Sequence, residues 1–299
     1  MKKQPYLFFL TLHLFLSSCA QGPDGNPSNE FRNYYYQGKA EINSYSLEQA
    51  RYGEMRSGTA VLIFVTEDFS LKELTKATAG NGKNIPVIKC NFEKKFETGI
   101  YPYSMLSTVV TPVDPIRFPH SIKLSASVLE WCGMAYMQWN LSGSSYKMIS
   151  HSYFPGEGDE SANLKPVFLE DEIWTKIRLG SEFLPVGELE ILPSAFYQRL
   201  LHRPHQAVKA FAILKKDNAV SGEMIYSVEY TEPARKLEIH FQEKFPFIIQ
   251  GWEETYQDGF GSEAPVLTTR ATRLNTEMLE YWKLNHNQDS IYRKKFELK

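Results

Sequence analysis

The strongest constraint on how this chain can fold is a period of two in its apolar residues. Ile122, Leu124, Ala126 and Val128 alternate with polar neighbours, Ala135, Met137, Trp139 and Leu141 repeat the pattern, and the turn Ser142-Gly143-Ser144 leads into a third such segment over 146–154. Successive side chains of a strand point to opposite faces, so this spacing predicts half-buried strands joined as a meander. The same reading covers 188–201, 207–214, 223–230, 236–241, 247–256 and 266–274, with turn residues such as Asp217-Asn218 and Glu232-Pro233 between them. The run 59–66 is apolar at successive positions, as a strand covered on both faces requires. Helical spacing is rare. It appears over 169–179, where Glu170-Asp171-Glu172 starts a turn that continues through Ile173, Trp174, Ile177 and Arg178, and as short stretches over 69–77 and 275–284. The expected fold is mainly β: a large antiparallel sheet or half-barrel meander with one or two short helices. The only division between halves falls near 165–185, at the helix and its Leu184-Pro185 exit.

The N-terminus sets a different constraint. Lys2 and Lys3 precede an apolar run over 6–16, and Leu16-Ser17-Ser18-Cys19 closes it. A membrane-spanning helix needs about 20 apolar residues, so the run is too short to be an anchor. It resembles a bacterial lipoprotein signal peptide. That resemblance implies removal of 1–18, lipid attachment at Cys19, and stable anchoring by more than one acyl chain. Residues 19–30 (CAQGPDGNPSNE) are polar and rich in Gly and Pro, the composition of a flexible tether, and the domain is expected over 31–299, opening on Tyr34-Tyr35-Tyr36. Ala20-Gln21 follows the cysteine and only Asp24 supplies acid nearby. By analogy with other lipoproteins, this favours the cell envelope, at the periplasmic side of the outer membrane.

Charge narrows the partners. The formal net charge is −2, and loss of Lys2 and Lys3 would make it more negative, against the basic face a nucleic-acid partner requires. Lys94-Lys95 and Arg293-Lys294-Lys295 read as solvated surface. With Cys19 acylated, Cys90 and Cys132 remain. They suffice for one disulfide in an oxidising compartment, with two free thiols as the alternative, and exclude a cysteine metal site.

Three constellations carry potential chemistry. His151 precedes Gly156-Glu157-Gly158-Asp159-Glu160, and His151, Glu157 and Asp159 together offer ligands to a divalent cation; a charged hairpin tip explains the same residues without metal. His202-Arg203-Pro204-His205 places two histidines close together, but the proline makes a loop of the segment. Glu130-Trp131-Cys132-Gly133 and Gly251-Trp252-Glu253-Glu254 pair carboxylates with tryptophan, as glycoside cleavage would require. Glu253 and Glu254 must point to opposite faces of a strand, so at most one of them can face a given cleft. No Gly-x-Ser-x-Gly elbow or phosphate-binding loop is present in the sequence, and no cofactor is expected. Aromatic residues make up 14% of the chain, enough either to line an apolar cavity on one sheet face or to fill a core.

Cys19, the segment 34–52 (YYYQGKAEINSYSLEQARY), Glu130-Trp131-Cys132-Gly133 and 150–154 (SHSYF) together resemble a family of uncharacterised Bacteroidota lipoproteins, over most of the chain after Cys19. Members sometimes carry the label septum formation inhibitor Maf. The Ser-x-Ser-Pro-Arg-Arg motif of that name is missing, and the nearest stretch, 193–199 (PSAFYQR), lacks the paired arginines that would grip a triphosphate. The strand pattern behind the cysteine also looks like periplasmic half-barrel carriers of lipids or lipoproteins, an analogy of fold alone. The resulting expectation is a binding or carrier module for a lipid or an envelope protein, with a glycan hydrolase using Glu130, Glu253 or Glu254, or a structural accessory of an envelope assembly, as alternatives.

Overall fold

The alternating segments hydrogen-bond to one another in almost the order in which they are made. The computed structural model describes residues 25–78, 84–259, 261 and 263–298; Cys19, the 1–18 signal and residues 19–24 of the tether lie outside them. The chain opens with α1 (Asn29–Tyr35), capped by Ser28, whose hydroxyl accepts from the Phe31 amide at 3.1 Å. The fold thus begins inside the predicted tether. Then follow β1 (Ala40–Arg51), β2 (Glu54–Ser70), β3 (Thr75–Lys76), β4 (Asn84–Thr98), β5 (Tyr101–Pro112), β6 (Lys123–Glu130), β7 (Gly133–Ser142), β8 (Ser145–Ser152) and β9 (Asp159–Leu164). The second half holds β10 (Phe168–Leu169), α2 (Ile173–Leu179), β11 (Gly187–Leu192), α3 (Ala195–Leu200), β12 (Val208–Lys216), β13 (Glu223–Tyr230), β14 (Arg235–Gln242), β15 (Ile249–Gln257), β16 (Val266–Leu279) and α4 (Ile291–Lys295).

All sixteen strands belong to one sheet. It runs from β10 through β16 to β1, β2 and β4 and on to β9, with β3 attached to β2 alone. Every pairing is antiparallel except β10 with β11. The expected halves are therefore one sheet, joined where β16 pairs with β1. Its two edge strands, β9 and β10, are consecutive in sequence. From Leu164 to Phe168 the chain can span only about 15 Å, so the sheet curls until its edges nearly meet.

The interior of the curl is filled largely by the chain's own side chains. Leu124, Ala126, Val128, Ala135, Met137 and Trp139 face inward, as the alternation predicts. The segment between β10 and β12 is threaded through the middle, with every residue of α2 and α3 buried. Phe92 on β4 sits against Trp174 at 5.2 Å, Phe196 at 5.4 Å and Trp252 at 5.3 Å, and this knot binds both helices to the sheet. These inward aromatics pack on one another and on the helices instead of lining a hollow concave face.

A helix buried on all sides should be apolar all round, yet α2 carries Lys176 and Arg178. Lys176 donates to the Pro119 carbonyl at 2.8 Å. Arg178, fully buried, pairs with equally buried Glu41 of β1 and donates to the carbonyls of Pro246 and Phe247. The acidic triplet before α2 divides likewise. Glu170 binds Arg235, which also holds Glu254. Asp171 accepts from the Ala195 amide at 2.9 Å, and Glu172 from the Ser121 amide at 2.6 Å. Lys94 is interior too, its ammonium 5.4 Å from the Phe92 ring centre and hydrogen-bonded to Gln49, so only Lys95 of the expected surface pair faces solvent.

Four short α-helices occur among the described residues, more than expected; α2, with the turn Glu170–Glu172 before it, falls on the expected 169–179, whereas the other two expected stretches are not α-helical. The stretch 69–77 belongs to β2 and β3, and 275–284 continues β16 before a single turn at Tyr281–Lys283. The stretch 188–201 splits into β11 and α3, because Pro193 cannot continue the ladder and Ser194 caps a helix with its hydroxyl on the Phe196 amide.

Removing one partner of a buried ion pair leaves an uncompensated charge, at a cost of about 3 to 5 kcal/mol, whereas replacing both by apolar groups is often neutral. Urea denaturation should therefore show Glu41→Ala destabilised by about that amount, with the double substitution Glu41→Leu and Arg178→Met recovering most of the loss.

Candidate functional site

Two of the predicted constellations, distant in sequence, meet at one end of the curl. Strand β8 alternates so that Ser150 faces in and His151 out, and the turn after it brings Glu157 back over the exit of α3. Glu157, Glu160, Ser152, Arg199, His202, Arg203 and His205 line a polar cleft of about 200 Å³. Ser152 donates to Glu157 at 2.7 Å, and His202 bonds to the same carboxylate. Burial opposes the charged form of Glu157, but those hydrogen bonds and the Arg199 guanidinium outweigh it and hold the carboxyl below its usual range. His205 bonds to Gln198 at 2.6 Å, and burial lowers its pKa. Arg199 stacks on Phe154 with its guanidinium carbon 3.6 Å from the ring centre.

The three candidate cation ligands do not converge. His151 faces away from the cleft and pairs with Asp159 at 3.0 Å, while Glu157 turns inward to Ser152 and His202. His151 and Asp159 stay together as a cross-strand pair, and Glu157, which lies in the turn between β8 and β9, is the one set apart from them.

Of the carboxylates considered for glycoside cleavage, Glu253 and Glu254 are separated because neighbouring strand residues face opposite ways. Glu253 is on the outer face beside Arg270 at 3.0 Å, and Glu254 is on the inner face, bonded to Arg235 at 2.8 Å. Glu130 lies at the β6–β7 turn, where it accepts from the Cys132 amide at 2.6 Å and sits 3.9 Å from Arg199. Each carboxylate has an arginine beside it. Cys90 and Cys132 are free thiols rather than a disulfide: Cys90 points into the core from β4, where burial pushes its pKa up, and Cys132 is exposed in the turn.

The second cavity is apolar and lies on the outer face. Ile42, Val61, Ile63 and Leu279 form its floor, and the C-terminal segment folds over them with Tyr281, Leu284, Tyr292, Phe296 and Leu298, enclosing about 450 Å³. Ile42, Val61 and Phe296 are buried there. Asn275 donates to the Lys295 carbonyl at 3.0 Å, and Lys295 pairs with Glu277 at 2.8 Å, which ties α4 to β16. Asn91, Glu93, Leu106, Asp289 and Arg293 complete the lining. The doubly apolar run 59–66 was the sequence signal for this groove, since its second face is the one that the C-terminal segment covers.

No family model matches the chain, and no curated protein or solved structure matches it.

The polar cleft is built on α3, whose N-terminus is anchored by Asp171. Burial is the largest influence on that carboxyl and lifts its pKa to about 7. In the unfolded chain the value is about 3.9, so between those two pH values the folded protein holds a proton that the unfolded chain has released. Stability from this group is present in acid and is lost as pH rises through the window, by about 4 kcal/mol in the limit. Asp171→Asn keeps the acceptor for the Ala195 amide and removes the titration. Urea denaturation at a series of pH values should show the variant gaining on the parent from pH 4 to 7, with no further change above.

Proposed function

We propose that the chain is a lipid-anchored binding module of the cell envelope that holds a single apolar chain, of the kind a membrane lipid carries, in the groove between the outer sheet face and the C-terminal segment. The observation that carries this reading is the placement of apolar space: the inner face of the sheet is packed by its own helices, whereas Ile42, Val61, Ile63 and Phe296 surround an open volume of about 450 Å³ on the outside. That volume falls within the range of about 300 to 1,000 Å³ found for small-molecule sites.

Proximity to a bilayer supports the choice of ligand. Tyr281 lines both this groove and a larger cavity of about 660 Å³ beside α1, whose wall also includes Asn26 and Pro27. From Cys19 to Asn26 the chain can extend only about 25 Å, so a lipid at Cys19 would keep this side of the domain near the membrane surface. No helix among the described residues is long and apolar enough to cross a membrane. The signal-like N-terminus and the resemblance to Bacteroidota lipoproteins support a place at the periplasmic face of the outer membrane.

Native mass spectrometry of the full chain, extracted from membranes in mild detergent, should detect a bound lipid or fatty acid. Ile63→Glu should weaken binding of a fluorescent fatty acid by roughly tenfold or more, equivalent to about 1.4 kcal/mol per tenfold, while Met137→Leu in the interior leaves it unchanged. Empty protein together with an absence of saturable fatty-acid binding would refute the assignment.

A further inference from the structure

A further constellation lies apart from the three cavities described above, on the outer face where β12, β13 and β14 run side by side. Asp217 follows β12 and Glu223 opens β13 directly opposite it, the Asp217 amide donating to the Glu223 carbonyl at 2.9 Å. His240 on β14 pairs with Ile225, two residues beyond Glu223, and so projects from the same face. One ligand atom from each of Asp217, Glu223 and His240 lies within 4.8 Å of the other two, and all three residues are half-buried.

The details of the trio are those a metal site requires. Asp217 Oδ1 accepts the backbone N–H groups of Ala219 at 2.7 Å and Val220 at 3.3 Å, which fixes the carboxylate plane and leaves Oδ2 facing the imidazole. Such outer-shell hydrogen bonds are the usual means of orienting a metal ligand. Oδ2 stands 3.5 Å from His240 Nδ1, longer than a good hydrogen bond of about 2.7 to 3.2 Å. Two ligand atoms each about 2.0 to 2.1 Å from a tetrahedral zinc ion are separated by about 3.4 Å.

We propose that Asp217, Glu223 and His240 form a site for one divalent transition-metal ion of the zinc class, with three protein ligands and the fourth position open. The imidazole selects zinc-like ions over calcium and magnesium, which take all-oxygen sets. A bound ion would cross-link three adjacent strands and stabilise the folded state by mass action. The open position would accept water or a donor group from outside.

The test is a calorimetric titration of zinc chloride into the full chain in detergent, after treatment with a chelator, with calcium chloride as the comparison. The expected result is saturation at one zinc per chain, a higher unfolding temperature with zinc than with chelator, and far weaker binding of calcium. Asp217→Asn and His240→Gln should each weaken zinc binding by roughly tenfold or more, with unchanged circular dichroism showing that both fold, while His151→Gln binds as the parent does. Absence of saturable zinc binding would overturn the proposal, as would binding undiminished in both folded variants, which would place the ion on other histidines.

Discussion

The buried pairs Arg178–Glu41 and Arg235–Glu170 are the interactions on which the architecture depends. A sheet that curls until its edges nearly meet must be filled, and here the filling is the chain's own segment between β10 and β12. That segment is not apolar. It brings three consecutive carboxylates, a lysine and two arginines into the interior; Glu170, Glu172, Lys176 and Arg178 find partners on the wall or in the lining loops, and Asp171 finds its partner on α3 of the same segment. Buried pairs contribute little net stability, because desolvation offsets most of the Coulomb attraction, but a mispaired insertion would leave charges stranded. In this structure Arg178 of α2 and Glu170 and Glu172 just before it meet Glu41, Arg235 and Ser121 together, which ties the inserted segment to the sheet at three points.

Local order was legible in the sequence wherever one physical rule governed it. The stretch 223–230 is β13 to the residue, and the alternating inward set Leu124, Ala126 and Val128 is buried as its period requires. The opposite orientations of Glu253 and Glu254 followed from the same rule. Errors came where a signal had two meanings. Glu170-Asp171-Glu172 reads as a helix start, because carboxylates favour that position, and it is one; nothing local reveals its burial, or Arg235 and the Ala195 amide as partners. Pro193-Ser194 was a stop followed by a cap, visible in hindsight as the boundary between β11 and α3.

The sites were legible only in pieces. Glu157 and His202 were each singled out, but their meeting depends on where α3 exits the curl, a long-range fact without a local sequence signature. Cys90 and Cys132 are kept apart because one side chain points into the core and the other lies on an exposed turn. The outer groove had a signal, the doubly apolar run in β2. Its covering segment did not, since 275–284 mixes apolar and polar residues in a way that suits a helix as well as the end of β16.

The functional reading follows from which face is free. Phe92, Trp174, Phe196 and Trp252 occupy the inside, so an apolar ligand has the outside, under a C-terminal segment held by a few polar ties. Photo-cross-linking with a fatty acid bearing a diazirine, followed by peptide mapping of the full chain, tests this most directly. The account predicts adducts on Ile63, Leu279 and Tyr292 and their neighbours around the groove. Adducts concentrated on inward residues such as Met137, Trp139 or Trp252 would contradict it.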